Sequence, residues 1–596
     1  MDKLPVRWDL DSLYEGGSES PAFARMLEQL QSDIRALADS LNEAGQEVTA
    51  SQLTGWTNQA QSIMARLREA DSFTGCLMAE NVTDRRAIGL NDRIRNLVAA
   101  FEGLMTRYDE ALGKADDALW TRWLAEEPAS RVAFYLNERR ELAKEKLSPE
   151  QEALAGDLAV NGYHGWGELY NTIVSLARFE AADETGEKRV YSAGQLDNLL
   201  SHADRTVRAA AFNVWEKEWT RQEDLCADAL NRLAGFRLKL YEHRGWDSVL
   251  KEPLQMNRMS EATLQAMWQA VEEGKPALVE YLKRKAKLLG LEQLDWHDVE
   301  APLGKSVRKV GYEEAASFIE EQFAGFSPDL AEFTKMAFEK GWIEAEDRSG
   351  KRPGGFCTSL PVSGETRIFM TYSGTASNVS TLAHELGHAY HQHVMNDLPP
   401  FAQEYAMNVA ETASTFAEMI VSDSAVRAAQ DREEKLSLIE DKIQRSVAFF
   451  MNIHARFLFE TRFYDRRRQG LVSADELSEL MEKAQREAFG GVLGEVHPHF
   501  WASKLHFYLT EVPFYNFPYT FGFLFSSGIY ARAAAEGPAF AERYVNLLRD
   551  TGSLTVEELA EKHLGVRLDD VSFWREAVAL SVRDVEQFLE MTADQA

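Results

Sequence analysis

The run Thr381-Leu-Ala-His-Glu-Leu-Gly-His-Ala-Tyr390 holds two histidines, His384 and His388, four residues apart, with Glu385 between them. On an α-helix such a pair lies on one face, roughly 5–6 Å apart at Cβ, so both imidazoles can reach one ion. Glu385 stands beside them, where a carboxylate can polarise a water held on that ion. His-Glu-x-x-His is the pattern of zinc-dependent hydrolysis. Five residues also recur by chance, so the rest of the chain must supply the remaining chemistry.

A catalytic zinc takes three protein ligands and keeps a fourth position for water. His391 shares the stripe of His384 but lies roughly 10 Å further along the axis at 1.5 Å per residue. That is too far to share the ion, so His391 reads as a support for the ligands or a packed core histidine. His393 points elsewhere, and Val394 stands where a histidine would complete the metzincin arrangement. Downstream, Glu404, Glu411 and Glu418 fall on two expected helical pieces within 401–420. Glu404 and Glu418 read as solvated, the usual fate of a glutamate. Glu411, set among Val409, Ala410, Ala413 and Phe416, is favoured as the third corner of a His₂Glu site.

These residues need a frame. Apolar periodicity predicts a helix from Pro21 to about Asn42, with Phe23, Met26, Leu27, Leu30, Ile34 and Leu37 on one stripe. It predicts further helices at about 50–80, 84–113, 115–125, 131–146, 149–159, 194–243, 260–289 and 312–342, and an amphipathic one at 569–591. A hairpin is expected near 172–191, its first strand Thr172–Glu180 and its turn Ala182–Lys188. Two short strands, Phe356–Leu360 and Arg367–Tyr372, follow the loop Arg348–Gly355, and Ser377 or Asn378 is the expected cap of the His-Glu-x-x-His helix. A strand edge beside the metal could hold an extended peptide through Phe369, Met370, Thr371 and Tyr372. The expected division is an N-terminal helical domain over 1–200 and a catalytic domain over 201–596.

With 65 basic against 95 acidic residues the net charge is −30. That surface disfavours nucleic acid and anionic membrane as partners. Cys76, Cys226 and Cys357 are few, odd in number and far apart, as in a reduced cytoplasmic protein. The first ten residues carry no apolar core of a signal peptide. The uncharged run Val512–Ala531 contains Pro513, Pro518 and Asn516, so it reads as site lining or core rather than a membrane span.

His384-Glu-Leu-Gly-His388, followed 23 positions later by Glu411-Thr-Ala-Ser-Thr-Phe-Ala-Glu418, resembles the oligoendopeptidase F and thimet oligopeptidase family of zinc peptidases. So do His506-Phe-Tyr-Leu-Thr-Glu-Val-Pro-Phe-Tyr-Asn-Phe-Pro-Tyr519 and the opening Trp8-Asp-Leu-Asp-Ser-Leu-Tyr14. The resemblance implies a mainly α fold: a large helical ellipsoid with a small β-sheet beside a gluzincin-type helix, and a deep substrate channel. It implies one zinc per chain on His384, His388 and Glu411, with Glu418 in support and Glu385 as general base. His506, Tyr519 and Tyr515 would meet substrate or transition state, while Tyr508 reads as packing and His497 and His499 as structural. Short peptides are the implied substrates, cut at internal bonds in the cytoplasm, and a homo-oligomer is compatible with this reading. The rival readings are a carboxypeptidase or dipeptidyl-peptidase with the same chemistry, and a non-catalytic helical binding protein.

Overall fold

Ser20 accepts the Phe23 amide and starts a helix over Pro21–Asn42, which buries Phe23, Leu27, Leu30, Ile34, Leu37 and Leu41 on one stripe. This is the expected helix with its expected face. The computed structural model of the protein describes residues 3–45, 47–182, 187–304 and 309–595. The fold is mainly α, with two small sheets among the described residues. No described helix is long and apolar enough to cross a membrane.

The chain forms two compact units, each assembled from three stretches. One comprises Met1–Lys146, Arg308–Ser424 and Arg532–Gly565; the other comprises Leu147–Val307, Ala425–Ala531 and Val566–Ala596. Neither unit is a continuous segment.

In the first unit, helices Pro21–Asn42, Ala50–Glu80 and Arg85–Gly113 pack together, each opened by a side-chain cap from Ser20, Thr49 or Asp84. They support a three-stranded sheet. Its strands are β1 (Ile343–Glu344), β2 (Phe356–Leu360) and β3 (Glu365–Phe369), with β3 in the middle, parallel to β1 and antiparallel to β2. Glu69, fully buried on the second helix, accepts the amides of Val362 and Ser363 and the Ser363 hydroxyl, which fixes the turn between β2 and β3. Trp8 lies 5.6 Å from the ring of Phe369 and 6.4 Å from that of Phe356, closing one face with aromatic contacts. The segment around Trp8 also covers β1: Val6 accepts from the amides of Ala345 and Glu346, and the Asp9 amide donates to Gly341. The outer edge of β2 has no such cover, since no backbone hydrogen bond beyond those to β3 reaches it among the described residues.

The second unit is built on the helix Arg205–Arg244, ended by Gly245 at φ 70°. The helix Glu261–Leu288 packs on the terminal helix Val571–Met591, where Gly274 leaves room for Val578. Here the hairpin is present but starts later than its sequence suggests. Thr172–Leu176 ends the helix Gly165–Leu176, whose Tyr170 and Ile173 are buried, and strand Phe179–Ala182 pairs with Lys188–Tyr191. Helical burial overrides the β preference of Thr172-Ile-Val. Within the expected turn Ala182–Lys188, residues 183–186 lie outside the described residues. Two other expected helices are split, by the Asp204 cap before Arg205 and by Ser327-Pro328, where the serine caps and proline opens a new helix.

Candidate metal centre

Thr375, not Ser377 or Asn378, caps the helix Ala376–Met395. Its hydroxyl accepts the Asn378 amide at 3.1 Å, while Asn378 Oδ1 accepts from Thr375 N, Ser373 N and Ser373 Oγ. Asn378 is thus the reciprocal member of the capping box. The cap leads directly from the sheet into the turn that carries His384.

His384 Nε2 lies 3.2 Å and His388 Nε2 3.3 Å from Glu411 Oε2, so three donor atoms from two elements converge. Glu411 stands at the junction between the short helix Met407–Ala410 and the helix Thr412–Ala428. The backbone break there turns its carboxylate toward both imidazoles. Ser414 Oγ donates to Glu411 Oε2 at 2.7 Å and orients it. Glu418, two turns on, accepts from His384 Nδ1 at 3.2 Å, which leaves Nε2 of that ring as the free donor atom. Burial alone would raise the Glu411 carboxyl, but His384 and His388 outweigh it and hold it far below the carboxylate range. Burial would lower His384, but Glu411 and Glu418 outweigh it and raise it to about 10. Two imidazole nitrogens and one carboxylate oxygen at this spacing, with a carboxylate behind one ring, fit a catalytic zinc.

The two elements meet at Gly387. A Cβ placed there would sit 2.5 Å from the Ala413 carbonyl oxygen and 2.6 Å from Ser414 Cα. Only glycine allows this approach, and the approach brings Glu411 to the histidines. Glu385 is 7% exposed, and its carboxylate makes no hydrogen bond among the described residues. Burial raises it, against the lowering influence of His388 and His384. A Cβ on Gly355, just before β2, would lie 3.7 Å from Glu385 Oε1, so the open strand edge begins beside this carboxylate.

The expected docking residues sit differently. Phe369 and Met370 are buried, the Met370 amide donates to Glu344 O, and the Tyr372 amide donates to Ala345 O. Thr371 and Tyr372 are half-buried, and the Tyr372 hydroxyl donates to Val310 O. Phe369 ends the central strand β3 and Met370–Tyr372 continue from it, so the edge left open is that of β2. Neither Ser414, Gly387 nor that edge was singled out by sequence reasoning; the small residues at Gly387 and Ser414 were the available signal.

His391 is fully buried, stacked on Tyr405 at 4.5 Å, with Nε2 donating to Leu548 O and lying 2.9 Å from Thr551 Oγ1. Nδ1 has no hydrogen-bond partner among the described residues, and burial lowers the ring to about 3. It is a neutral packing residue. Between pH about 6.5 and about 3 the unfolded chain holds a proton there that the folded chain does not. Stability from this site is therefore constant above pH 6.5 and lost as pH falls below it, by up to about 1.4 kcal/mol per pH unit. His391→Gln is expected to flatten the acid dependence of the urea unfolding midpoint between pH 7 and 5; equal slopes would remove the assignment.

In the second unit, His506, Tyr515 and Tyr519 form a ring cluster. Centroids are 5.1 Å apart for His506 and Tyr515, 6.1 Å for His506 and Tyr519, and 4.9 Å for the two tyrosines. Phe514, just before Tyr515, is held at φ 55°, a conformation a bulky residue rarely adopts. Buried Glu460 accepts the Phe514 amide and the Asn516 side chain, which clamps this turn. Burial, then Arg456 and Lys504, lowers His506 to about 4, so its imidazole is neutral near pH 7. Tyr508 is stacked on Tyr170 at 3.7 Å and is packing. His497 and His499 both pair with Glu216. A second convergent group, Asp295, His297 and Asp298, is matched by Arg205 and Arg208 at 2.7 and 2.9 Å, which leaves its carboxylates no need of a cation.

The family model described as Peptidase family M3 matches residues 198–580, and that described as Oligopeptidase F matches 112–179. An oligoendopeptidase F homolog of Lactococcus lactis is 22% identical over 580 residues, 95% of this chain and 94% of that one. Oligopeptidase PepF of Bacillus subtilis is 23% identical, over 92% of this chain and 81% of its own. Among solved structures, a Chlamydophila abortus protein superposes with a TM-score of 0.84 at 19% identity, covering 98% of both chains. Oligoendopeptidase-F from Enterococcus faecium gives 0.70 at 18% identity, over 96% of this chain and 99% of its own.

Proposed function

Because the chain belongs to peptidase family M3, whose model covers well over half of it, we propose that it is a zinc-dependent endopeptidase acting on internal bonds of short oligopeptides. The observation that carries this reading is the convergence of His384, His388 and Glu411 beside a buried carboxylate that makes no hydrogen bond among the described residues. His384 Nε2, His388 Nε2 and Glu411 Oε2 would hold one zinc ion. When bound, that ion would acidify a water and polarise the scissile carbonyl. Glu385 takes the proton of the attacking water and delivers it to the leaving amine, and its burial makes it a stronger base than a solvated glutamate. Glu418 keeps His384 in the tautomer that presents Nε2, and Ser414 keeps Glu411 aimed. His506 and Tyr519, with Tyr515 beside them, act as donors to the oxyanion, as the family resemblance assigns. An extended peptide would add beside β2 by backbone pairing. Short peptides are the proposed partners and the cytoplasm the proposed location, in keeping with three cysteines that form no disulfide.

Quenched fluorescent peptides of increasing length, blocked at both ends, test this reading. Internal cuts seen by mass spectrometry, lost with chelator and restored by zinc, are expected. Cuts only in peptides with free ends would support the terminal-releasing reading instead, and chelator-insensitive cleavage would overturn the metal assignment.

A further inference from the structure

Within the second unit a cavity of about 610 Å³ is lined by His506 and Tyr519, and also by Arg456, Lys504 and Phe500. Arg456, on the helix Ile453–Arg467, is only 9% exposed. Its Nε donates to Asn452 Oδ1 at 2.9 Å, and its two terminal nitrogens have no hydrogen bond or ion pair among the described residues. The other four buried arginines among the described residues, Arg140, Arg208, Arg237 and Arg367, all place terminal nitrogens on carboxylates, carbonyls or tyrosine hydroxyls. Lys504, half-buried, has no ion pair either. Arg456 Cζ and Lys504 Nζ lie 5.3 and 5.4 Å from the Phe500 ring centroid, so one aromatic ring positions both cations. The acidic residues at this cavity, Glu300 and Asp197, are exposed, and neither pairs with Arg456 or Lys504 within 4 Å.

A buried guanidinium without a counter-ion is costly unless something anionic comes to it. In a chain of net charge −30, two cations held on one ring with no ion pair among the described residues stand out from the surrounding field. The open fork of an arginine matches the two oxygens of a carboxylate, and a neighbouring ammonium adds a point charge. We propose that Arg456 and Lys504 bind a carboxylate of the peptide substrate, either its C-terminus or an acidic side chain. The subsite thereby sets the position of cleavage relative to that charge. The inference rests on the peptidase reading in that His506 and Tyr519 must face substrate in the same cavity.

The test compares peptides with one cleavable core in matched pairs: free C-terminal acid against amide, and Glu against Gln. The wild type is expected to favour the carboxylate member of one pair by about tenfold or more in kcat/KM. The pair that shows the preference identifies the source of the carboxylate. Arg456→Met should bring that ratio toward one, chiefly through KM, and Lys504→Glu should lower it further. Lys504 is half-exposed, so the second variant stands if the first folds poorly. Calorimetric titration of the same peptides separates the two readings. Carboxylate binding that depends on Arg456 without any cleavage keeps the subsite and rejects the peptidase. Cleavage with no preference in either pair, or a preference that survives both substitutions, rejects the subsite and keeps the peptidase.

Discussion

Glu385→Gln is expected to retain nearly all bound zinc while kcat falls by about 10²–10⁴-fold, the range attributable to a positioned general base. The substitution keeps the shape of a side chain that is almost fully enclosed. It removes no hydrogen bond, because the carboxylate makes none among the described residues. A role in holding the fold would predict the opposite: retained turnover in whatever fraction stays folded. Burial raises this carboxyl, so replacing it with a neutral amide should also leave thermal stability unchanged or improved. Metal content by atomic absorption, steady-state kinetics and a melting curve on one preparation decide the matter. Retention of a tenth or more of wild-type turnover would end the assignment.

The second large effect is expected at Gly387→Ala. Helix propensity alone favours alanine over glycine by about 1 kcal/mol in a helix interior. Geometry reverses that sign. The added methyl would meet backbone atoms at 2.5 and 2.6 Å, and backbone cannot rotate aside as a flexible side chain can. The helix Ala376–Met395 must move away from the start of Thr412–Ala428, and Glu411 goes with the latter. Overpacking of this kind costs about 1–3 kcal/mol. Separating one ligand from two others should weaken zinc binding at least about tenfold, as perturbing the support of metal ligands does. A lowered melting temperature with weakened zinc retention in a chelator competition is the expected result. An unchanged or raised melting temperature would show that the contact relaxes freely.

These two residues, each next to one histidine ligand and three positions from the other, mark how far the site could be read from sequence. His384, Glu385 and His388 were legible because helical spacing is local. Glu411 was legible through its apolar neighbours and its motif, although the break in the helix that aims it was not. The role of Gly387 depends on which backbone meets which across a crossing, and no local pattern encodes that. The same holds for the sheet: β1 has two residues, too few for any periodicity, yet its presence makes β3 central and moves the open edge to β2. Thr375 does not stand out as the cap in the sequence, because Ser377 and Asn378 are equally good cap residues. Arg456 looks like any helix arginine until its missing partner is visible.

The strand-forming surface in the first unit has a valence. One flank of the small sheet is already taken by the segment Val6–Asp9, and the other is bare. A sheet with two bare flanks can be extended in both directions and so can propagate from molecule to molecule. With one flank capped by the protein's own chain, strands can be added only on the β2 side, so any extension runs in one direction. In polymer terms the sheet is monofunctional: it offers one acceptor edge, and the departure of a bound peptide regenerates that one edge.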